Sequence, residues 1–469
     1  MPLLVVWLHP DGPLMDPGTP WHLRTGQWIL HHHSLPFFDP FSWTQSNSFW
    51  LNYEWLFEVF IAALAAAGNL PLVTATSLVL YALLPALLLH RMLQEGSDVL
   101  SGVLVCLAVY LITWPHALVR PHIFTYLFFL VFLRTLHRYE EGKIPARSLS
   151  ILPLLLWFWS NLHGGFLVGL IVLGAYGLAA LLRWRKGHPA TRVWTYSLLF
   201  GVSSLFVLLN PNGSLLILGI LQHLFMPALA YWQEFQPPDF LDGGSSVRLY
   251  GAWLILCFVL LATRRMKFSL AEWILFVFLV WQSLHAVRHM ILVALLSAPA
   301  LAQALTPWST RWFVRFQALS REQANLSTHF LQVAALACVF ISSSLVTPQL
   351  FRQDFLDLRL TRGAEAYLRS HADRFERMFN SDDLGGALIY QTGLRVFMDD
   401  RSDLYKQQFI EKEYLPLLLL QPGWQEIMER WKITSAVVSQ PSRLGQALDQ
   451  MPQWEKVYAD EKVALYLKR

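Results

Sequence analysis

Ionisable side chains are scarce over the first 348 positions of this 469-residue chain, so those that do occur there are informative. One segment carries Asp11, Asp16, His22, Arg24, Asp39 and Glu54. Short polar turns between apolar runs carry Arg120 with His122, Asn161 with His163, and Arg288 with His289. Carboxylates and imidazoles take up and release protons, and guanidinium groups hold anions through paired N–H donors. Such a set suits proton transfer beside a bound anion. Taken singly the residues say less. Arg120 and Arg288 also read as helix-end side chains that snorkel, His163 as a packing histidine, and Asp16 as a turn residue beside Pro17 and Gly18. His31-His32-His33 reads as a solvated run on a loop, because three adjacent loop side chains diverge, and Asp39-Pro40 reads as a turn.

What must position these residues follows from composition. The chain is 55% hydrophobic, 14% aromatic and only 14% charged. Those values exclude a disordered protein and an ordinary soluble enzyme, which has about 25% charged residues. Of the 68 Asp, Glu, Lys and Arg residues, 35 lie after Pro348, dividing a lipid-solvated part from a water-solvated one. A net charge of +4 is too small to imply a nucleic-acid partner. Cys106, Cys257 and Cys338 lie far apart in apolar runs and imply neither a disulfide framework nor a zinc site.

Apolar runs that reach or approach membrane-spanning length occur at 72–90, 99–114, 121–138, 148–160, 166–182, 194–209, 249–263, 269–284, 290–305 and 330–346. Basic residues gather in alternate loops: His90/Arg91, Arg134 to Arg147, Arg183 to Arg192, Arg264 to Lys267, and Arg311 to Arg321. The positive-inside rule places these loops in the cytoplasm and the intervening loops, with the tail, outside. Parity then makes the short run 55–67 interfacial and the run 215–230 interfacial or re-entrant. The first eight residues are apolar but too short to span, and a preceding transmembrane helix is expected upstream.

With sides assigned, the candidates all fall on the outer face. Five of the 14 acidic residues in the first 348 positions lie between Asp11 and Glu58. A one-sided gathering of costly charges implies a water-filled functional cleft. The turn Asn161-Leu162-His163-Gly164-Gly165 joins two short helices, so it should sit below the outer surface and line a protein cavity. In the tail, 387–390, 395–398, 435–439, 456–458 and 463–467 read as strands, the last two as a hairpin, and 424–431 as a helix. Asp399, Asp400 and Asp403 read as a solvated loop after a strand.

The run from Met15 through Asp16-Pro17-Gly18-Thr19-Pro20-Trp21-His22-Leu23-Arg24 to Leu30, followed by Asp39-Pro40-Phe41-Ser42-Trp43-Thr44 and Glu54-Trp55-Leu56-Phe57-Glu58, resembles the first outer loop of bacterial membrane proteins related to the GT-C glycosyltransferases. Arg120-Pro121-His122, Asn161 to Phe166, Asn210-Pro211-Asn212-Gly213, Glu234 to Phe240, Asp382 to Gly386 and Phe397 to Tyr405 extend the resemblance over nearly the whole chain. It implies a mainly α, polytopic bundle of about 10–11 spans over residues 1–347, with a first outer loop at 10–70, and a small extracytoplasmic α/β domain over 348–469. It further implies a bacterial inner-membrane enzyme moving a sugar from a polyprenyl-phosphate donor to an envelope acceptor. The alternative is a noncatalytic scaffold of the same architecture. Asp16 matches the family's acid, a general base or metal ligand, and His22 would orient the acceptor or act as a second base. Arg24, Glu54, Arg120, His122, Asn161, His163, Arg288 and His289 would bind substrate. A groove beside 55–67 would take the lipid tail. Relatives tend to carry a second acid where this chain has Gly18, which counts against metal binding and against activity; a divalent cation is the cofactor the resemblance would imply.

Overall fold

In the computed structural model, residues 14–46, 48–319 and 359–469 are described. The membrane part is a succession of helices: α1 Gly18–His32, α2 Trp55–Gln94, α3 Val99–Thr113, α4 His122–Glu140, α5 Ile151–Leu162, α6 Phe166–Trp184, α7 Thr191–Val207, α8 Ser214–Leu224, α9 Ser245–Ala262, α10 Leu270–His285 and α11 Met290–Leu319. Nine of the ten expected spans coincide with helices; the tenth, 330–346, and the expected boundary at 347 lie outside the described residues. Among the described residues, five helical stretches are individually long and apolar enough to cross a bilayer: Trp55–Gln94, Val99–His116, Phe166–Trp184, Ser245–Ala262 and Val287–Arg311.

Local chemistry sets the ends. Asp98 caps α3 by accepting the N–H groups of Leu100 and Ser101, and Ser269 with Glu272 forms a capping box on α10. Helix α2 breaks at Gly68 and Asn69, where Asn69 takes φ 56° two residues before Pro71, so 55–67 is a separate segment from the helix that follows. The membrane helices share one apolar core, with Trp159, Phe129, Phe132 and Phe166 fully buried, while Leu198, Leu205, Ile255 and Val277 face outward as lipid-facing side chains would.

The tail carries a four-stranded sheet in the order β1-β2-β4-β3, from β1 Met378–Asn380, β2 Ser435–Ser439, β3 Trp454–Ala459 and β4 Val463–Lys468. β1 pairs parallel to β2, and β4 pairs antiparallel to both β2 and β3, the latter being the expected hairpin. Two expected strands are not strands. Residues 388–392 continue the helix that starts at Asp382 as a wide helical turn, since a short apolar run fits either state. Val396 makes only an isolated bridge to Ser42.

That bridge is part of a larger docking. The tail core incorporates Trp21, Phe41 and Trp50 of the first loop, residues 14–54. Trp43 Nε1 donates to the Met378 carbonyl at 3.0 Å and Thr44 Oγ1 to the Phe397 carbonyl at 2.6 Å. At the centre Arg401, wholly buried, pairs with Asp39 at 2.8 Å and with Asp399 at 2.6 Å, its guanidinium lying 4.6 Å from the Trp50 ring centre. Asp39 is the expected turn residue, accepting the N–H groups of Phe41 and Ser42, but it is also half of an ion pair to the tail. Asp399 and Asp400, expected in a solvated loop, are a correction: Asp399 is wholly buried against Arg401 and Asp400 is part of the site below. Nothing local marks them as buried: Asp400 meets Arg120, 280 positions earlier, and the Asp399–Arg401 pair is enclosed only by docking against Asp39, 362 positions before Arg401. Replacing Arg401 by Met should strand two buried carboxylates and cost about 3–5 kcal/mol, read as a lower thermal midpoint in detergent.

Candidate active site

Asp16 stands just ahead of α1 and accepts the backbone N–H of Thr19 at 2.9 Å, which fixes it over the first helical turn. Its other oxygen meets Arg120 Nε at 2.5 Å. Arg120, from the turn between α3 and α4, spreads its remaining nitrogens to Glu234 at 3.3 Å and to Asp400 at 3.5 Å. One guanidinium thus joins the segment ahead of α1, two later interhelical turns and the tail. Glu234 in turn reaches Arg288 at 3.6 Å, and Arg288 lies 4.5 Å above the Phe235 ring.

The second half of the site is built on α1 and α2. His22 lies between Glu58, 3.4 Å from Nδ1, and Glu54, 3.7 Å from Nε2. Glu54 is also 3.7 Å from His163 Nε2. His163 Nδ1 accepts the Gly165 N–H at 3.1 Å and sits 2.7 Å from the Thr125 hydroxyl, so its proton resides on Nε2, facing Glu54. Only glycine fits at 165, because a Cβ there would lie 2.3 Å from Thr125 Oγ1. Trp159 Nε1 donates to the same hydroxyl at 2.9 Å and completes the brace.

Burial governs the protonation states. It depresses His22 well below the ordinary imidazole value, with Arg120 adding repulsion, and does the same to His163 with Arg288 behind it. Burial, then the charges of Glu58 and Asp403, raise Glu54 well above the carboxylate range. Burial works the same way on Glu234, but Arg288 and Arg120 outweigh it and hold that carboxyl at about 2. Asp400 is pushed up to about 8 by burial, with Asp16 and Asp399 adding like charge against the pull of Arg120. Burial also raises Asp403 to about 6, despite Arg401. Arg120 stays charged, its three carboxylates more than offsetting its own burial.

The expected site residues separate accordingly. Asp16, His22, Glu54, Arg120, His163 and Arg288 converge. Asn161 is a brace, accepting from Trp55 Nε1 at 2.8 Å and Asn210 Nδ2 at 3.0 Å. His122 is locked against the His116 carbonyl at 2.6 Å and Tyr81 at 2.9 Å, and His289 against the Gln282 carbonyl at 3.3 Å. Arg24 is exposed on α1 and its charge is felt by Tyr390 rather than by the cluster. The triple histidine is a correction: His31 and His32 end α1, with His32 stacked on Trp28 at 4.1 Å between ring centres. Sequence reasoning did not single out Glu58, Glu234 or Asp400 as site residues. Glu58 had a signal, one helical turn after Glu54 on the same face.

The carboxylates do not fit a resident divalent cation. Among the described residues no group of three or more His, Cys, Asp or Glu is placed to hold one, and Asp16, Glu234 and Asp400 each face the Arg120 guanidinium. Along α1 from this cluster, a groove of about 640 Å³ opens between α1 and the broken start of α2, lined by Gln27, Leu30, Ala62, Ala66, Leu70 and Tyr390 among others.

The helical membrane part, the site at one end of it and the docked tail together have a GT-C fold. The chain is similar to the oligosaccharyltransferase AglB of the archaeon Archaeoglobus fulgidus in complex with an inhibitory peptide and a dolichol-phosphate, with a TM-score of 0.54 at 11% identity over 90% of this chain and 65% of that one. The Archaeoglobus enzyme tethered to an acceptor peptide containing the NVT sequon gives 0.51 at 13% identity over 90% and 65% of the two chains. The chain therefore spans just under two thirds of the length of these structures. No protein-family model matches the sequence, and no curated protein matches it either. The protein is a multi-pass membrane protein.

A neutral, buried His22 has a measurable signature. Below the ordinary value of 6.5 the unfolded residue binds a proton and the folded one does not, so this site loses stability as pH falls. Compared with His22→Gln, the wild type should lose up to about 1.4 kcal/mol per pH unit below that point. Parallel stability curves between pH 7.5 and 5 would contradict the neutral assignment.

Proposed function

We propose that the protein is a glycosyltransferase that passes a sugar from a polyprenyl-phosphate carrier to an envelope acceptor at the outer face of the bacterial inner membrane, with its tail on that outer side. The observation that carries this reading is Arg288. It is partly exposed, its ion pair to Glu234 is long at 3.6 Å, and Arg120 stands on the other side of the same carboxylate. An incoming phosphate can replace that long contact and take the guanidinium in bidentate fashion. The groove between α1 and α2 supports a place for the prenyl chain, on the side of 55–67 anticipated for it. The dolichol-phosphate bound by the structural neighbour supports a lipid-phosphate carrier of the same kind.

In this reading Arg288 and Arg120 hold the phosphate, and a carboxylate of the Asp16–Asp400 pair takes the acceptor's proton. His22, Glu54 and His163 form a neutral hydrogen-bonding wall that orients the acceptor. The test is transfer of radiolabel from a panel of polyprenyl-phosphate sugars by membranes containing the full-length protein. The wild type should transfer from at least one donor, and Arg288→Gln should lower the rate about 10²–10³-fold. Failure with every donor would replace this reading by that of a noncatalytic partner in envelope assembly.

A further inference from the structure

Gly18 stands where the GT-C resemblance leads one to expect an acid, and the space beside it is already filled. A Cβ built on Gly18 would lie 2.9 Å from Asp16 Oδ2 and 2.9 Å from Asp400 Oδ2. The carboxylate of a residue 382 positions later therefore occupies the volume that an acidic side chain at 18 would enter. Its seat is built. Trp21 Nε1 donates to Asp400 Oδ1 at 2.5 Å, and Arg120 faces Oδ2. The surrounding tail is pressed onto the same loop: Arg359 donates to the Met15 carbonyl at 3.0 Å, and a Cβ on Gly386 would lie 2.3 Å from the Pro17 carbonyl oxygen.

The two carboxylates of the pair differ in what they can reach. Asp16 has no exposed side-chain surface, and its oxygens are held by Arg120 and by Thr19. Asp400 keeps 15% of its side chain exposed, and its contact to Arg120 is a loose 3.5 Å. A substrate hydroxyl can approach the second without dismantling an ion pair; it cannot approach the first.

We infer that Asp400 is the catalytic carboxylate of this protein, delivered by the tail into the space left by Gly18, and that Asp16 is a positioning residue acting through Arg120. The inference rests on the glycosyl-transfer reading for its chemistry. The acceptor oxygen bonds to the anomeric carbon as that carbon's bond to the phosphate oxygen breaks. The breaking bond's electron pair leaves with polyprenyl phosphate, and the acceptor's proton passes to Asp400. The tail is thereby part of the active site, and the membrane part alone is incomplete.

Two measurements on the full-length protein test this. In transfer assays Asp400→Asn should lower kcat about 100-fold or more with little change in KM for the donor. The relocated acid, Gly18→Asp with Asp400→Ala, should regain most of the lost rate. In thermal unfolding, which needs no donor, Gly18→Asp should destabilise the wild type by crowding Asp16 and Asp400, and the part due to Asp400 should vanish once Asp400 is Ala. Wild-type kcat in Asp400→Asn, or additive stability effects of the two substitutions, would overturn the inference. Absence of transfer by the wild type itself would instead remove the glycosyl-transfer reading, leaving the stability cycle to decide whether Asp400 fills the place of the missing acid.

Discussion

A permanently charged guanidinium among three carboxylates organises this molecule. Arg120 touches Asp16 ahead of α1, Glu234 in a later interhelical turn and Asp400 in the tail, and none of these segments is near another in sequence. Arginine can serve three acids because its five N–H donors lie in one rigid plane and it does not lose its proton. A lysine would offer a point charge without the fork. The arrangement also fixes what each acid can do. Asp16 and Glu234 are committed to their arginines, whereas Asp400, the most loosely bound, keeps the proton affinity of a group near neutrality.

Buried ion pairs are weak sources of net stability, because desolvation consumes most of the Coulombic gain. Their value here is placement. The apolar contacts between tail and first outer loop, with Trp21, Phe41 and Trp50 inside the tail core, supply the area, but such contacts tolerate sliding. Arg401 between Asp39 and Asp399 does not, since a shift of a few ångströms would leave charges buried and unpaired. The same residue lies next in sequence to Asp400. The pair that fixes the tail's register on the loop therefore fixes the position of the site carboxylate.

The membrane architecture was legible because lipid imposes a simple rule on sequence: long apolar runs, with basic residues in alternate loops. Nine helices follow from it, as does the gathering of Asp16, His22, Glu54, Arg120, His163 and Arg288 at one site. In the tail the rule lapses. Ala387–Tyr390 is apolar enough for a strand, but it prolongs a helix whose start at Asp382 is set by acidic first-turn residues. Asp399 and Asp400 lie in a segment of ordinary charge density, where an acid carries no signal of burial. Arg401 is a sequence neighbour, but Asp39, which shares Arg401 with Asp399, and Arg120, which meets Asp400, come near only when the chain closes on itself. Gly18 is the same problem inverted: the carboxylate beside it comes from Asp400, and local sequence shows only a glycine.

Charge bookkeeping gives the site its direction. In the glycosyl-transfer reading, with His22 and His163 held neutral and Glu54 raised out of the carboxylate range, the wall that would face the acceptor contributes little net charge. Arg120 and Arg288 are then the charges that matter, balanced in the resting site by Asp16 and Glu234. A sugar bound through phosphate to a lipid is a phosphodiester with one negative charge, and its departing phosphate gains a second as the glycosidic bond breaks. A fixed cation beside that oxygen therefore binds the transition state more strongly than the donor, which is the condition for accelerating the step rather than merely tightening binding. The neutral histidine and glutamate wall adds to this effect. An imidazolium in its place would favour the bound donor as well, and would draw the acceptor's oxygen toward a charge before the bond to carbon had begun to form.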